Sequence, residues 1–514
     1  MKPSECVVRP TRPRRSDGST RTHESIPIIP QVDVRLRMED RTRLAALANR
    51  LLRDEPALNA TAAFGPDISP GLTHAPALFY EDHTEIALFD VGDDVPLEYR
   101  ALLLAGDDDV VLLGGRRHPA FERYCRDTLA LGRPDILVAH APRTRRPMPL
   151  VQRCLSDPSL MDRICDLCRR HGALDIVPYM GTGMAWMLAS RIAQRTGNAV
   201  HVAAPPPRLT RRANDKIWFA QLVRQALNRE SMMPSFSTFG PAAIAGRIKS
   251  LARRFPQVVV KVPDSAGSLG NVVLSAADIT RWSTGFLQAR IYDILHERGW
   301  RGTYPLMVGV WEASVLTSPS VNLWIPHATQ GMPVIEGIFT QTLKGVEGEF
   351  VGAEPSALPA DLQNRLAYEA QSLAYLFQCL GYFGRCGFDA VLVGPALDDA
   401  DIRWIECNGR WGGVSTPVTL ANRLTGRGQA AGLVIVQRSA LQLPPRPFET
   451  VLELLRGRLL EASESPEGVV ILLPGRFVDG SGMNFMVLGK DLAQAREMAA
   501  DTITRLRQPA GATA

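Results

Sequence analysis

The stretch FDAVLVGPALDDADIRWIECNGRWGG, residues 388–413, sets two acids against each other if it folds as a hairpin. Apolar runs over 388–393 and 402–405 flank a polar turn containing Gly394, Pro395, Asp398 and Asp399. With the turn centred between Leu397 and Asp398, Asp389 faces Glu406 directly. Side chains alternate along a strand, so Glu406 and Asn408 share one face and Ile405 and Cys407 take the other. Like charges opposed across a ladder repel, so the arrangement calls for a cation between them or a retained proton. Two carboxylates and an amide oxygen make Asp389, Glu406 and Asn408 candidate ligands for a hard divalent cation such as Mg2+. The bland alternative is a solvated pair on an exposed strand. The apolar opposite face and the third oxygen donor two residues on count against it.

A second stretch, VVVKVPDSAGSLGNVVL over 258–274, reads as two strands around a loop of small residues. Lys261 closes the first strand, and Gly267 and Gly270 let backbone N–H groups approach a ligand closely. Three valines before Lys261 place it at a buried strand end, where its compact charge suits phosphate. Glycine-bearing hairpins are common, so the loop gains meaning from the acidic hairpin. A cation clamp, a loop able to cover phosphates and a nearby lysine form a set suited to Mg-ATP.

Composition narrows the class. The chain has 514 residues, 45% hydrophobic and 22% charged, enough for about three domains. Its net charge of +5 owes much to Lys2, Arg9, Arg12, Arg14, Arg15 and Arg21, which leaves the rest nearly neutral and argues against a nucleic-acid surface. No run reads as a membrane span or secretory signal, so a cytoplasmic protein is expected. The CxxC pair Cys165 and Cys168 lies in a helical run without a second pair, which argues against structural zinc. No GxxxxGK loop is present. Gly181 and Gly183 form a GxG after a strand, but Trp186 stands where a dinucleotide fingerprint needs glycine, so a tight strand-to-helix turn is the better reading.

Along the chain, residues 1–26 read as a disordered basic leader. Residues 27–207 alternate strand and helix, with strands expected over 109–115, 135–141, 174–181 and 199–205, which predicts a small parallel sheet flanked by helices. Residues 208–427 carry the two motifs. Residues 428–514 run strand, helix, strand, strand and helix, a compact α+β unit. The helix over 361–381 places Leu362, Leu366, Leu373, Phe377 and Leu380 at core spacing.

The paired motifs resemble the ATP-grasp superfamily, with Asp389, Glu406, Asn408 and Arg410 matching its metal-holding Asp, its Glu-x-Asn and the arginine that follows. Lys261 and the loop residues Ser265, Gly267, Ser268, Gly270 and Asn271 match its phosphate-covering segment, and Lys216 in NDKIW matches its earlier lysine. Glu312, in VGVWEASV over 308–315, stands where such proteins hinge and bind adenine, and the resemblance assigns it to the adenine or ribose edge. Together KVPDSAGSLGN, SPSVNLWI (318–325), GIFTQTL (337–343) and ECNGRWGG look like the pheganomycin-type peptide ligases, which carry a pre-ATP-grasp N-terminal domain. Pro263 follows Val262 here instead of following the lysine directly, and SPSV stands where many relatives have a glutamate.

The resemblance implies a mixed α/β and α+β fold. A pre-ATP-grasp parallel-sheet domain would precede an ATP-grasp domain of two α+β subdomains and a small C-terminal domain. It implies ATP and Mg2+ as cofactors and an ATP-dependent ligase that joins a small-molecule carboxylate to an amine, an amino acid or peptide, through an acyl phosphate. Arg410 and Lys261 would be the catalytic residues, and homodimers are common among such ligases. A phosphotransferase or carboxylase on the same nucleotide site, or a non-catalytic ATP-binding module, remain alternatives.

Overall fold

The computed structural model describes residues 33–88, 96–140, 148–426, 432–437, 443–460, 466–476, 480 and 482–508. The basic leader and the boundary at 427/428 lie outside them.

Among the described residues the strands gather in three sheets. The first is parallel and built from β1 (Ile68–Pro70), β2 (Ala77–Tyr80), β3 (Val110–Leu113), β4 (Asp135–Val138), β5 (Ala173–Pro178) and β6 (Ala199–Val202). Its order is β1-β6-β5-β2-β3-β4. The chain thus builds outward from β2 in one direction and from β5 in the other, which opens a crevice at their carboxyl ends. The expected strands correspond to β3 to β6; β1 and β2 are additions too short to show a period of their own. Gly183 opens the helix Gly183–Thr196, capped by Thr182, so the GxG is a strand-to-helix turn. Cys165 and Cys168 are free, buried thiols in the helix Pro158–His171.

The second sheet is antiparallel: β7 (Ser235–Thr238), β8 (Gln257–Lys261), β9 (Asn271–Ser275) and β10 (Leu306–Val310), in the order β7-β10-β8-β9. Alternation decides its faces. Val258, Val260, Val272, Leu274 and Val308 pack on Ile244, Ile248, Leu287 and Ile291 of two helices, Pro241–Ala252 and Thr284–Glu297. Val259, Lys261, Met307 and Gly309 face the other way, into a cavity.

The third sheet, also antiparallel, holds β11 (Val315–Thr317), β12 (Pro319–Ile325), β13 (Val334–Lys344), β14 (Glu349–Pro355), β15 (Gly384–Val393), β16 (Asp401–Asn408), β17 (Leu433–Val436), β18 (Gly468–Leu473) and β19 (Asn484–Leu488). β15 pairs with β11 and β12 along one edge and with β16 along the other. The last block has the expected order of elements, and its strands continue the central sheet through β14 and β17.

One face of this sheet is dry. Phe388 lies between Phe219 of the helix Lys216–Ala226 and Phe377 of the helix Ala360–Cys379, with centroids 5.7 and 5.6 Å away. Leu362, Leu366 and Leu373 join the same core. Trp404 is fully buried beside Phe388, and its Nε1 donates to Glu369 at 2.8 Å. No helix among the described residues is long and apolar enough to cross a membrane.

Trp404 anchors the site hairpin to this core. Trp404→Ala is expected to cost about 3–5 kcal/mol, seen as a lowered denaturation midpoint. A loss below about 1 kcal/mol would contradict this packing.

Candidate functional site

The opposite face of the third sheet carries the candidate site. β15 and β16 pair Asp389 with Glu406 and Gly387 with Asn408. A β-bulge falls beyond Asp389, where Ala390 opposes Trp404 and leaves Ile405 unpaired. Simple alternation would put Trp404 and Glu406 on one face. The extra residue lets Trp404 and Cys407 enter the core while Glu406 and Asn408 line the cavity. Ile405 also lines the cavity, which corrects the expectation that it lies opposite Glu406. Cys407 is buried on the dry face, as expected, and burial raises its thiol pKa.

Asp389 accepts from Asn408 Nδ2 at 2.8 Å and from Gln341 Nε2 at 3.2 Å. Burial, and then the charge of Glu406, push its carboxyl up to about 6. Burial also opposes ionisation of Glu406, but Lys216, Lys261 and Arg410 outweigh it and hold that carboxyl below its ordinary range. Lys216 Nζ stands 2.9 Å from Glu406 Oε2 and donates to the Ser265 carbonyl at 2.8 Å. It ties the hairpin to the loop from behind and is not among the residues lining the cavity. Lys261 does line it, 5.4 Å from the Trp311 ring centroid. Burial draws its ammonium down to about 8, with Glu406 opposing the shift and Lys216 adding to it.

The small-residue loop is folded on itself and against a neighbour. Ser265 Oγ donates to the Val262 carbonyl at 2.9 Å. A Cβ on Gly270 would lie 2.0 Å from that Oγ, so only glycine fits there. Gly267 and Ser268 take left-handed φ values of 64° and 65°. For a serine this is a strained choice, and the surroundings hold it. Ser268 Oγ donates to the Gly348 carbonyl at 2.9 Å, and Arg298 bridges Asn271 O at 2.6 Å and Glu347 at 2.8 Å. The loop is thereby latched to the turn between β13 and β14. Gly267 and Ser268 border the cavity, so the backbone of this loop lies where an anion can approach it closely.

Between the loop and the hairpin lies a cavity of about 770 Å3. Lys261, Gly267, Ser268, Asn271, Glu312, Asp389, Glu406, Asn408 and Arg410 all line it; Ser265 and Gly270 shape the loop without lining it. Glu312 accepts from Ser314 N at 3.0 Å. Arg410 bonds through Nη1 to Asn214 Oδ1, which also accepts from Gly409 N at 3.1 Å. Trp411 is buried, with the Arg385 guanidinium 4.7 Å from its ring centroid.

Several cavity residues went unrecognised in the sequence. Ser318, Ser320 and Asn322 sit at every second position of SPSVNLWI and line the cavity, the last two from β12 and Ser318 from just before it; that polar alternation was the available signal. Asn214 carried none. At the far end, Arg100 and Tyr179 reach the cavity from the crevice between β2 and β5. Arg100 is paired with Glu81, Nε to Oε2 at 3.0 Å, and lies 5.5 Å from the Tyr179 ring centroid.

The cation expected at the hairpin can be weighed against these side chains. Among the described residues no three His, Cys, Asp or Glu side chains cluster as a metal site, so the donor set is two carboxylates and one amide. That all-oxygen set fits a hard cation, and a positive charge there would offset both the burial and the repulsion from Glu406 that raise the Asp389 pKa.

Comparison with known proteins bears on the fold. A family model described as Pre ATP-grasp domain matches residues 98–194. No curated protein matches the chain. The chain is similar to the solved ADP complex of the purK N5-carboxyaminoimidazole ribonucleotide synthetase, at TM-score 0.50 and 10% identity over 84% of this chain and 96% of that one. It is similar to a biotin carboxylase nucleotide complex from Campylobacter jejuni, at TM-score 0.50 and 14% identity over 77% and 85%. It is also similar to Rhizobium etli pyruvate carboxylase, at TM-score 0.51 and 14% identity over 83% of this chain but 37% of that one. At these identities the likeness speaks to architecture. The chain has the ATP-grasp fold, preceded by a pre-ATP-grasp parallel sheet.

Proposed function

We propose that the chain is an ATP-dependent ligase that activates a small-molecule carboxylate as an acyl phosphate and joins it to an amine, an amino acid or peptide. The carrying observation is the opposed pair Asp389 and Glu406, with Asn408, lining one cavity with Lys261 and the latched loop. ATP and Mg2+ are the cofactors this arrangement suits, and similar folds have been solved with ADP. The three-part division at 207/208 and 427/428 and a cytoplasmic homodimer belong to the same reading.

The chemical difficulty is the approach of two anions. Lys261 meets the phosphates from the second sheet, and Lys216 keeps Glu406 ionised. A bound Mg2+ would supply further neutralisation at the phosphate oxygens. The carboxylate oxygen attacks the γ-phosphorus, the bond to ADP breaks, and Arg410 orients the acyl end. The loop over 265–271 keeps water from the acyl phosphate until the amine nitrogen attacks its carbonyl carbon and phosphate leaves. Glu312 takes the adenine or ribose edge.

Incubation with Mg-ATP and pooled amino acids and short peptides, followed by mass spectrometry, tests the reading. ADP with a condensation product is expected, and no turnover from folded Glu406→Gln or Asp389→Asn. Near-normal turnover in either variant would remove the metal assignment, and a bicarbonate-dependent carboxylated product would favour the carboxylase reading.

Two further outcomes follow from the geometry. Burial draws the Lys261 ammonium down to about 8, so part of it is unprotonated at pH 8, and phosphate favours its charged form; Mg-ADP binding at pH 8 should therefore take up a fraction of a proton. Calorimetry in buffers of different ionisation enthalpy measures this uptake; heats independent of buffer, or unchanged uptake in Lys261→Met, would refute it. Gly270→Ala should cost about 1–3 kcal/mol by overpacking and raise amide exchange across the loop. Unaltered loop exchange would show that the Ser265 contact does not hold it.

A further inference from the structure

Asn322 is 5% exposed and lines the cavity, yet its Nδ2 is buried with no hydrogen-bond partner. An unsatisfied buried donor costs about 1–3 kcal/mol, so one kept at a cavity wall calls for an acceptor arriving with a ligand. The surroundings narrow that acceptor. Gly387 pairs with Asn322 on one side and Asn408 on the other, so it forms the floor between their side chains. A Cβ there would meet Val321 O at 3.8 Å, Asn322 Oδ1 at 3.9 Å and Asn408 Cβ at 4.0 Å, ordinary contact distances, so a half-turn of the Asn322 amide brings its Nδ2 to the floor. The protein has room for alanine at this position; the missing methyl group instead leaves the cavity floor open. Arg410, two residues beyond Asn408, brings a guanidinium to the same cavity. A neutral amide donor and a cation beside an open floor suit a planar anion with two oxygens.

We propose that Asn322 and the floor at Gly387, with Arg410, form the subsite for the carboxylate that is activated. The inference rests on the ligase reading and adds a positioning residue from β12 to it. Asn322 donates to one carboxylate oxygen and Arg410 to the other. The open floor seats the carboxylate beside Asp389 and Glu406, where the phosphates are brought. The remainder of the substrate has room to extend toward Arg100 and Tyr179, which line the same cavity.

The test titrates the full chain, loaded with Mg-ADP, with carboxyl-labelled N-acetylglycine, a blocked minimal carboxylate, followed by NMR. Saturable binding is expected in the wild type, with a loss of about tenfold or more in Asn322→Asp, where a negative charge replaces the donor. Gly387→Ala, which the protein contacts tolerate, should lose a similar factor by filling the floor and carries the test should Asn322→Asp fail to fold. Affinity for Mg-ADP should stay unchanged in both. No saturable binding to wild type, or undiminished binding in Gly387→Ala, overturns the subsite. Mg-ADP binding that falls together with that of N-acetylglycine assigns Asn322 to the nucleotide and overturns it as well. Retained activity and tighter Mg2+ binding in Asn322→Asp would make the residue a metal ligand instead. Failure of the ligase reading shows separately, as absence of ADP formation by wild type with pooled substrates.

Discussion

A buried carboxylate and a half-buried one, Asp389 and Glu406, face each other across a β-ladder, and their repulsion is the constraint around which the site is arranged. They occupy directly opposed positions, and the burial of Asp389 leaves little water to screen it from its neighbour. The structure divides the burden unequally. Glu406 has Lys216 at 2.9 Å and stays ionised, whereas Asp389 has amide donors and is pushed up toward neutrality. A site built in this way favours added positive charge, and in the proposed function a bound cation would in turn attract phosphate oxygens.

Other elements bear on how that pair meets a ligand. The bulge at Ile405 turns one strand into two half-faces, so that Trp404 fixes the hairpin in the core while Glu406 two residues on reaches the cavity. Lys216 touches both Glu406 and the loop carbonyl of Ser265, so hairpin charge and loop position are mechanically connected. The loop is in turn latched to the β13–β14 turn through Ser268 and Arg298.

Much of this was legible in the sequence, and the rest was hidden for physical reasons. The opposed register of Asp389 and Glu406 follows from the apolar runs and the turn between them, and the structure has that register. The bulge leaves no mark in composition, so the side taken by Ile405 was misjudged. Strands β3 to β6 announced themselves as apolar runs between helical patterns, while β1 and β2 are too short for periodicity to act. Continuation of the central sheet by β17 depends on a pairing of Gly352 with Val436, distant in sequence, that no local pattern encodes. Asn214, Arg100 and Tyr179 reach the cavity through tertiary folding alone. Asn322 was readable in principle, because polar residues at alternate positions of an otherwise apolar strand mark a wet face.

On the ligase reading, the Asp389–Glu406 hairpin serves transfer of a phosphoryl group to a carboxylate. Turnover with a substrate whose carboxylate oxygens carry a heavy isotope tests it most directly. Transfer of one labelled oxygen into inorganic phosphate, formed together with ADP, is the predicted result. Unlabelled phosphate, or AMP as the nucleotide product, would contradict the acyl-phosphate route.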